Sequence, residues 1–79
     1  MITSLKEMSP GEHASITGYK EGGKNYRKRL LSFGLTIGTE ITLTKIAPLG
    51  DPVEIQVRGY HLSLRKAEAD VLELQQVGS

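Results

Sequence analysis

The stretch YRKRLLSFGLTIGT, residues 26–39, decides the fold. Tyr26, Leu30 and Phe33 recur at helical spacings of four and three, so one face of a short helix carries them. Leu31 widens that face, while Arg27, Lys28 and Arg29 fall largely outside it. Asn25 just before the stretch has the side-chain oxygen of a good N-cap. Gly34 stands where a left-handed C-cap ends a helix, with Leu35 as its apolar contact. A helix of about two turns does not persist alone. Its apolar face therefore has to rest on something else in the chain.

That something is a set of short strands. Downstream, Ile37-Gly38-Thr39 makes a turn into a strand over residues 40–46. There Ile41 and Leu43 face one way and Thr42 and Thr44 the other, and Ile46 breaks the alternation, which predicts a bulge near Lys45. Residues 48–52, PLGDP, form a loop that proline keeps out of any ladder. Val53, Ile55 and Val57 alternate with Glu54, Gln56 and Arg58, the pattern of a strand with one dry face. Gly59-Tyr60 predicts a hairpin connection into residues 61–65, with Leu62 and Leu64 inward. Residues 66–70 read as one helical turn and residues 71–75 as a last strand. Upstream, residues 1–10 read as an extended lead-in with one helical turn over residues 4–8. Pro10-Gly11 is a turn signal, residues 13–19 a first strand, and Glu21-Gly22-Gly23-Lys24 a flexible loop.

Five short strands, one short helix and closely spaced turns predict a mainly β fold, a small barrel in a single domain over residues 1–79. So short a chain buries its apolar faces by curling the sheet around one core. Closure also limits exposed strand edges, and the helix, inserted between the first two strands, plugs one open end.

Composition narrows the function. A chain of 79 residues without cysteine has no disulfide framework and no thiol chemistry, which fits a cytoplasmic protein. No apolar run approaches the roughly 20 residues needed to cross a bilayer, so direct membrane insertion is not expected. The N-terminus lacks the basic region and apolar core of a signal peptide. A net charge of +1 gives no bulk attraction for nucleic acid. No nucleophile stands near a base at a catalytic spacing. Gly22-Gly23-Lys24 lacks the remaining glycine and the following Ser or Thr of a phosphate-binding loop. No cofactor is implied, and an enzyme is not expected.

The pattern resembles the FeoA family. The residues that carry the resemblance are Pro10-Gly11, Arg29-Leu30-Leu31 with Phe33-Gly34-Leu35, Gly38, residues 47–52 (APLGDP), Arg58-Gly59, and Leu64-Arg65-Lys66 with Ala69. The same module is similar to the C-terminal domain of some metal-dependent repressors. The chain's length favours FeoA, since no DNA-binding helix pair precedes the barrel. The resemblance implies an SH3-like β-barrel with an inserted helix. It also implies a small cytoplasmic adaptor or regulator that associates with FeoB, the membrane G protein of ferrous iron uptake. The alternative it implies is a metal-sensing domain.

Candidate sites follow from residue type. Arg27, Lys28 and Arg29 have three readings: a solvated helix face, a surface that pairs with a partner's carboxylates or phosphates, or a nucleic-acid contact, for which the few aromatics give little stacking support. An arginine supplied in trans to a G protein is one form of the second reading. Leu49 and Asp51 sit in the proline-bounded loop, and an apolar tip there either tucks inward or anchors a partner. Tyr19, Tyr26 and Tyr60 read as half-buried packing residues. His13 and His61 are the only histidines. Ferrous iron favours paired histidines with a carboxylate. Glu12 neighbours His13, but adjacent strand residues point to opposite faces, so the two read first as solvated surface residues. Oligomeric state is open at this level.

Overall fold

The computed structural model describes residues 2–21 and 23–77, so Gly22 of the expected loop lies outside the described residues. The elements run β1 (Ile2–Thr3), a 3₁₀ turn (Leu5–Glu7), β2 (His13–Tyr19), α1 (Lys24–Ser32), β3 (Glu40–Ile46), β4 (Val53–Val57), β5 (Tyr60–Leu64), α2 (Lys66–Ala69) and β6 (Leu72–Gln76). All pairings are antiparallel in one sheet of order β1-β6-β2-β3-β4-β5. The sheet curls around a core of Leu, Ile and Val from every principal strand.

The core follows from the alternation. Ala14 and Ile16 of β2, Ile41 and Leu43 of β3, Val53, Ile55 and Val57 of β4, and Leu72 and Leu74 of β6 are all buried. Their neighbours in sequence face outward because successive strand residues alternate sides. The expected bulge in β3 is present: the register shifts between Leu43 and Lys45. A second shift lies in β2 between Ile16 and Gly18. Bulges increase local twist, which lets so few strands wrap a core.

The helix ends as its glycine predicts. Gly34 adopts φ +84°, its N–H donates to the Leu31 carbonyl at 3.0 Å, and the Leu35 N–H donates to Leu30 at 3.1 Å. These two bonds make a Schellman cap, with Leu30 and Leu35 both fully buried beneath it.

Four features differ from the sequence reading. The helix is capped by Gly23, which makes no side-chain cap bond, and Asn25 lies inside the first turn. A Cβ on Gly23 would stand 2.8 Å from both Val71 methyls. The close approach to Val71, just before β6, therefore selects glycine at this N-cap. The apolar face is also narrower than expected: only Leu30 is buried, and Tyr26 and Leu31 remain exposed. The β4–β5 turn is Arg58-Gly59, with φ +49° and +83°. Positive φ at both positions is the type I′ geometry that matches strand twist, so Tyr60 opens β5.

Finally, the sheet is a curled, open barrel. A sixth strand, β1, adds to β6 through Ile2 and Thr3, and the outer strands β1 and β5 do not pair with each other. The lead-in contributes this strand and a turn whose Leu5, with Met8, fills the core. These apolar side chains add to the core, while the hydrogen-bonded closure that was expected is not made.

Candidate functional site

The basic residues of α1 divide by what they touch. Arg27 lies with its guanidinium carbon 5.1 Å from the centre of the Tyr19 ring, a cation–π distance. Arg29 sits 5.2 Å from the Phe33 ring and pairs through Nε with Glu68 Oε2 at 2.5 Å. Lys28 makes no ion pair among the described residues and is exposed. The run that reads as one patch is therefore two exposed arginines with contacts inside the fold flanking one solvated lysine.

Glu68 is the residue that sequence reasoning missed. Its side chain is only 5% exposed, yet both oxygens are used. Oε1 accepts the Arg65 N–H at 3.0 Å, capping the backbone donor at the start of α2, and Oε2 meets Arg29. A buried carboxylate is tolerated when paired and hydrogen-bonded. The signal was partial: Glu68 stands at the third helical position, as the acid of a capping box does, but Arg65 is not a capping side chain.

Between α1, α2 and the 47–52 loop lies an open groove of about 410 Å³ lined by Tyr26, Arg29, Asp51, Arg65, Ala67 and Glu68. Asp51 borders it and accepts the Lys66 N–H at 3.1 Å, satisfying a free donor of the α2 first turn. Leu49, two residues before Asp51, is 94% exposed. The loop tip does not tuck inward. The structure brings Arg29 and Asp51 to one groove, with Leu49 on the same loop as Asp51.

The histidines are in one row but not one site. His13 pairs with Thr42, Thr42 with Gln56, and Gln56 with His61, so they are three strand spacings apart, roughly 14 Å. Two imidazoles on one metal at about 2.1 Å each have to come within roughly 4 Å of one another. His13 Nδ1 instead bonds Thr42 Oγ1 at 2.7 Å, and His61 Nδ1 lies 3.3 Å from Glu54 Oε1. The described residues hold no group of three His, Cys, Asp or Glu side chains placed for a metal ion.

The tyrosines act as struts. The Tyr19 hydroxyl donates to the Leu35 carbonyl at 2.5 Å, and burial raises its pKa, opposed in part by Arg27. The Tyr60 hydroxyl donates to the Phe33 carbonyl, and Arg58 Nη2 donates to Thr39 Oγ1 at 3.3 Å. The β4–β5 hairpin thereby holds the C-terminal end of α1. Of the three, only Tyr19 is half-buried as expected; Tyr26 and Tyr60 stay exposed, at 42% and 41%.

Comparison with known proteins places this architecture. The FeoA domain model matches residues 3–76. The chain belongs to the FeoA family. Its FeoA domain is 37% identical over 75 residues to the Fe(2+) transport protein A/Fe(2+) transporter FeoB fusion protein of Porphyromonas gingivalis, an alignment covering 95% of this chain and 9% of that protein. The chain thus spans only a small part of that relative. The NMR structure of a FeoA-like protein from Clostridium acetobutylicum superposes with a TM-score of 0.88 at 32% identity, covering 99% of this chain and 90% of that one. A zinc-complexed FeoA of Stenotrophomonas maltophilia, described as a prokaryotic SH3 domain protein, superposes with a TM-score of 0.77 at 22% identity, covering 92% and 89%. The fold is SH3-like, as the resemblance implied, and the family ties it to ferrous iron transport. No helix of the described residues is long and apolar enough to cross a membrane.

Proposed function

We propose that this FeoA-family chain is a cytoplasmic, non-enzymatic adaptor that binds the G-protein part of a FeoB-type iron transporter and modulates uptake. Its contact surface is the α1 face and the 47–52 loop, with Leu49 as the apolar anchor and Lys28 as an exposed cation on α1 without an ion pair among the described residues. The observation that carries this reading is Leu49, 94% exposed on a loop bounded by Pro48 and Pro52 and tied down through Asp51. Loop stiffness lowers the ordering cost of binding, and an apolar side chain held out on a stiff loop is placed to fill a pocket on a partner. The Porphyromonas gingivalis relative, whose name joins an iron transport protein A to FeoB in one chain, supports the choice of partner. Arg27 and Arg29 contribute by shaping the surface, since both are engaged internally.

The test is titration calorimetry of this chain into the soluble G domain of a FeoB-type transporter, with and without guanine nucleotide. Saturable binding is expected. Its absence at high concentration, with both proteins folded, would remove the G domain as the partner.

A further inference from the structure

The outer edge of β5 is the one principal strand edge left bare, and its geometry is fixed by the turn that precedes it. The two-residue Arg58-Gly59 loop joins Val57 to Tyr60, which in such hairpins is a hydrogen-bonded pair. Bonded and non-bonded pairs then alternate along an antiparallel ladder. Tyr60, Leu62 and Leu64 therefore direct their backbone groups at Val57, Ile55 and Val53 of β4. His61 and Ser63 direct theirs away from the sheet. Neither residue's N–H or C=O has another hydrogen-bond partner among the described residues. Two N–H and two C=O groups thus stand in a row at the sheet margin.

Such an edge is normally blunted by proline, a bulge or a charged side chain such as lysine. β5, with the sequence YHLSL, has no proline, lysine, arginine or acid. Its ladder with β4 runs in continuous register from Val53 to Val57 without a bulge. The opposite edge is different, because β1 is only two residues long.

We infer that β5 is a self-association edge whose occupant is the β5 of a second copy of this chain, paired antiparallel about a two-fold axis. The spacing of the outward groups is self-complementary and fits this partner. With His61 opposite Ser63 of the partner and Ser63 opposite the partner's His61, all four outward groups on each copy find partners. The axis passes through Leu62, which meets its own equivalent in a non-hydrogen-bonded pair, where side chains come closest. Leu62 is half-buried against the core, and the contact covers part of what remains exposed. No like charges face each other across the seam: each His61 lies opposite a serine and stays beside its own Glu54. An isologous contact of this kind closes at two copies, joining two curled sheets into one. It rests on strand register and is independent of the FeoB reading.

Analytical ultracentrifugation over a concentration series, with amide hydrogen exchange on the same samples, tests it. The unaltered chain is expected to shift from monomer to dimer, while exchange at His61 and Ser63 slows with concentration and that at Leu62 does not. Ser63→Pro removes one outward donor, and Ser63→Lys places a charge on the edge without touching the backbone. Both are expected to leave monomers, and Ser63→Ala to dimerise like the unaltered chain. The lysine variant keeps the test decisive if the proline variant fails to fold. A chain that stays monomeric into the millimolar range, a dimer that survives Ser63→Lys, or exchange at His61 and Ser63 that ignores concentration would overturn the inference.

Discussion

The Arg29 guanidinium and the buried Glu68 carboxylate tie α1 to α2, so Arg29 belongs to the fold before it belongs to any surface. Glu68→Ala removes both the cap on Arg65 and the partner of Arg29, and should cost about 2 kcal/mol. Arg29→Ala should cost about 1 kcal/mol, because the arginine side chain is largely solvated and its charge is screened. Arg29→Glu should cost more than either, since it sets two carboxylates against each other. Urea denaturation orders the three. Equal stability of Arg29→Glu and the unaltered chain would mean the pair does not hold the helices together.

Gly34 tests the helix stop. Its φ of +84° costs an L-residue about 1–2 kcal/mol. A Cβ there would meet only Arg58 Nη1 and Tyr60 Oη at ordinary contact distances, 3.5 and 3.6 Å. Gly34→Ala should thus lower stability by about that strain alone and leave the fold intact. The midpoint of thermal unfolding, followed by circular dichroism, measures it.

Tyr19 gives a pH dependence with a definite sign. Burial raises its phenol above the ordinary 10.0, and Arg27 offsets part of the rise. The folded state therefore prefers the neutral phenol. The stability this contributes is fully present below about pH 10 and is lost as pH rises through the folded value. Tyr19→Phe loses the bond to Leu35, about 1 kcal/mol at neutral pH. The gap between the two proteins should narrow as pH passes above about 10. A constant gap in urea midpoints across that range would contradict the assignment.

The separation of His13 and His61 predicts that neither depends on the other. If Co(II) binds, His13→Ala and His61→Ala should each alter it independently. A single equivalent abolished by either variant, read from the cobalt absorption bands, would require the two imidazoles to meet.

Much of this was legible because it is local. Strict alternation over residues 53–57 placed β4, Gly34 placed the end of α1, and the break at Ile46 placed the bulge in β3. What was not legible depends on contacts distant in sequence. β1 exists because Ile2 and Thr3 reach Gln75 and Leu74, and two residues carry no periodicity of their own. The helix starts at Lys24 with Gly23 as its cap, a position where Val71 leaves no room for a Cβ, although Asn25 has the better capping side chain. The site divided in the same way. Leu49 and Asp51 could be singled out from a proline-bounded loop. The engagement of Arg27 and Arg29 needed Tyr19, Phe33 and Glu68 brought beside them.

Binding of Leu49→Asp to the soluble FeoB-type G domain, compared with the unaltered chain by calorimetry, tests the adaptor account most directly. Leu49 is almost wholly exposed, so the change should move stability by less than about 0.5 kcal/mol. Affinity should fall at least about tenfold, the loss of one anchor side chain, with Lys28→Glu giving a smaller loss. Leu49→Asp binding as tightly as the unaltered chain would contradict the account.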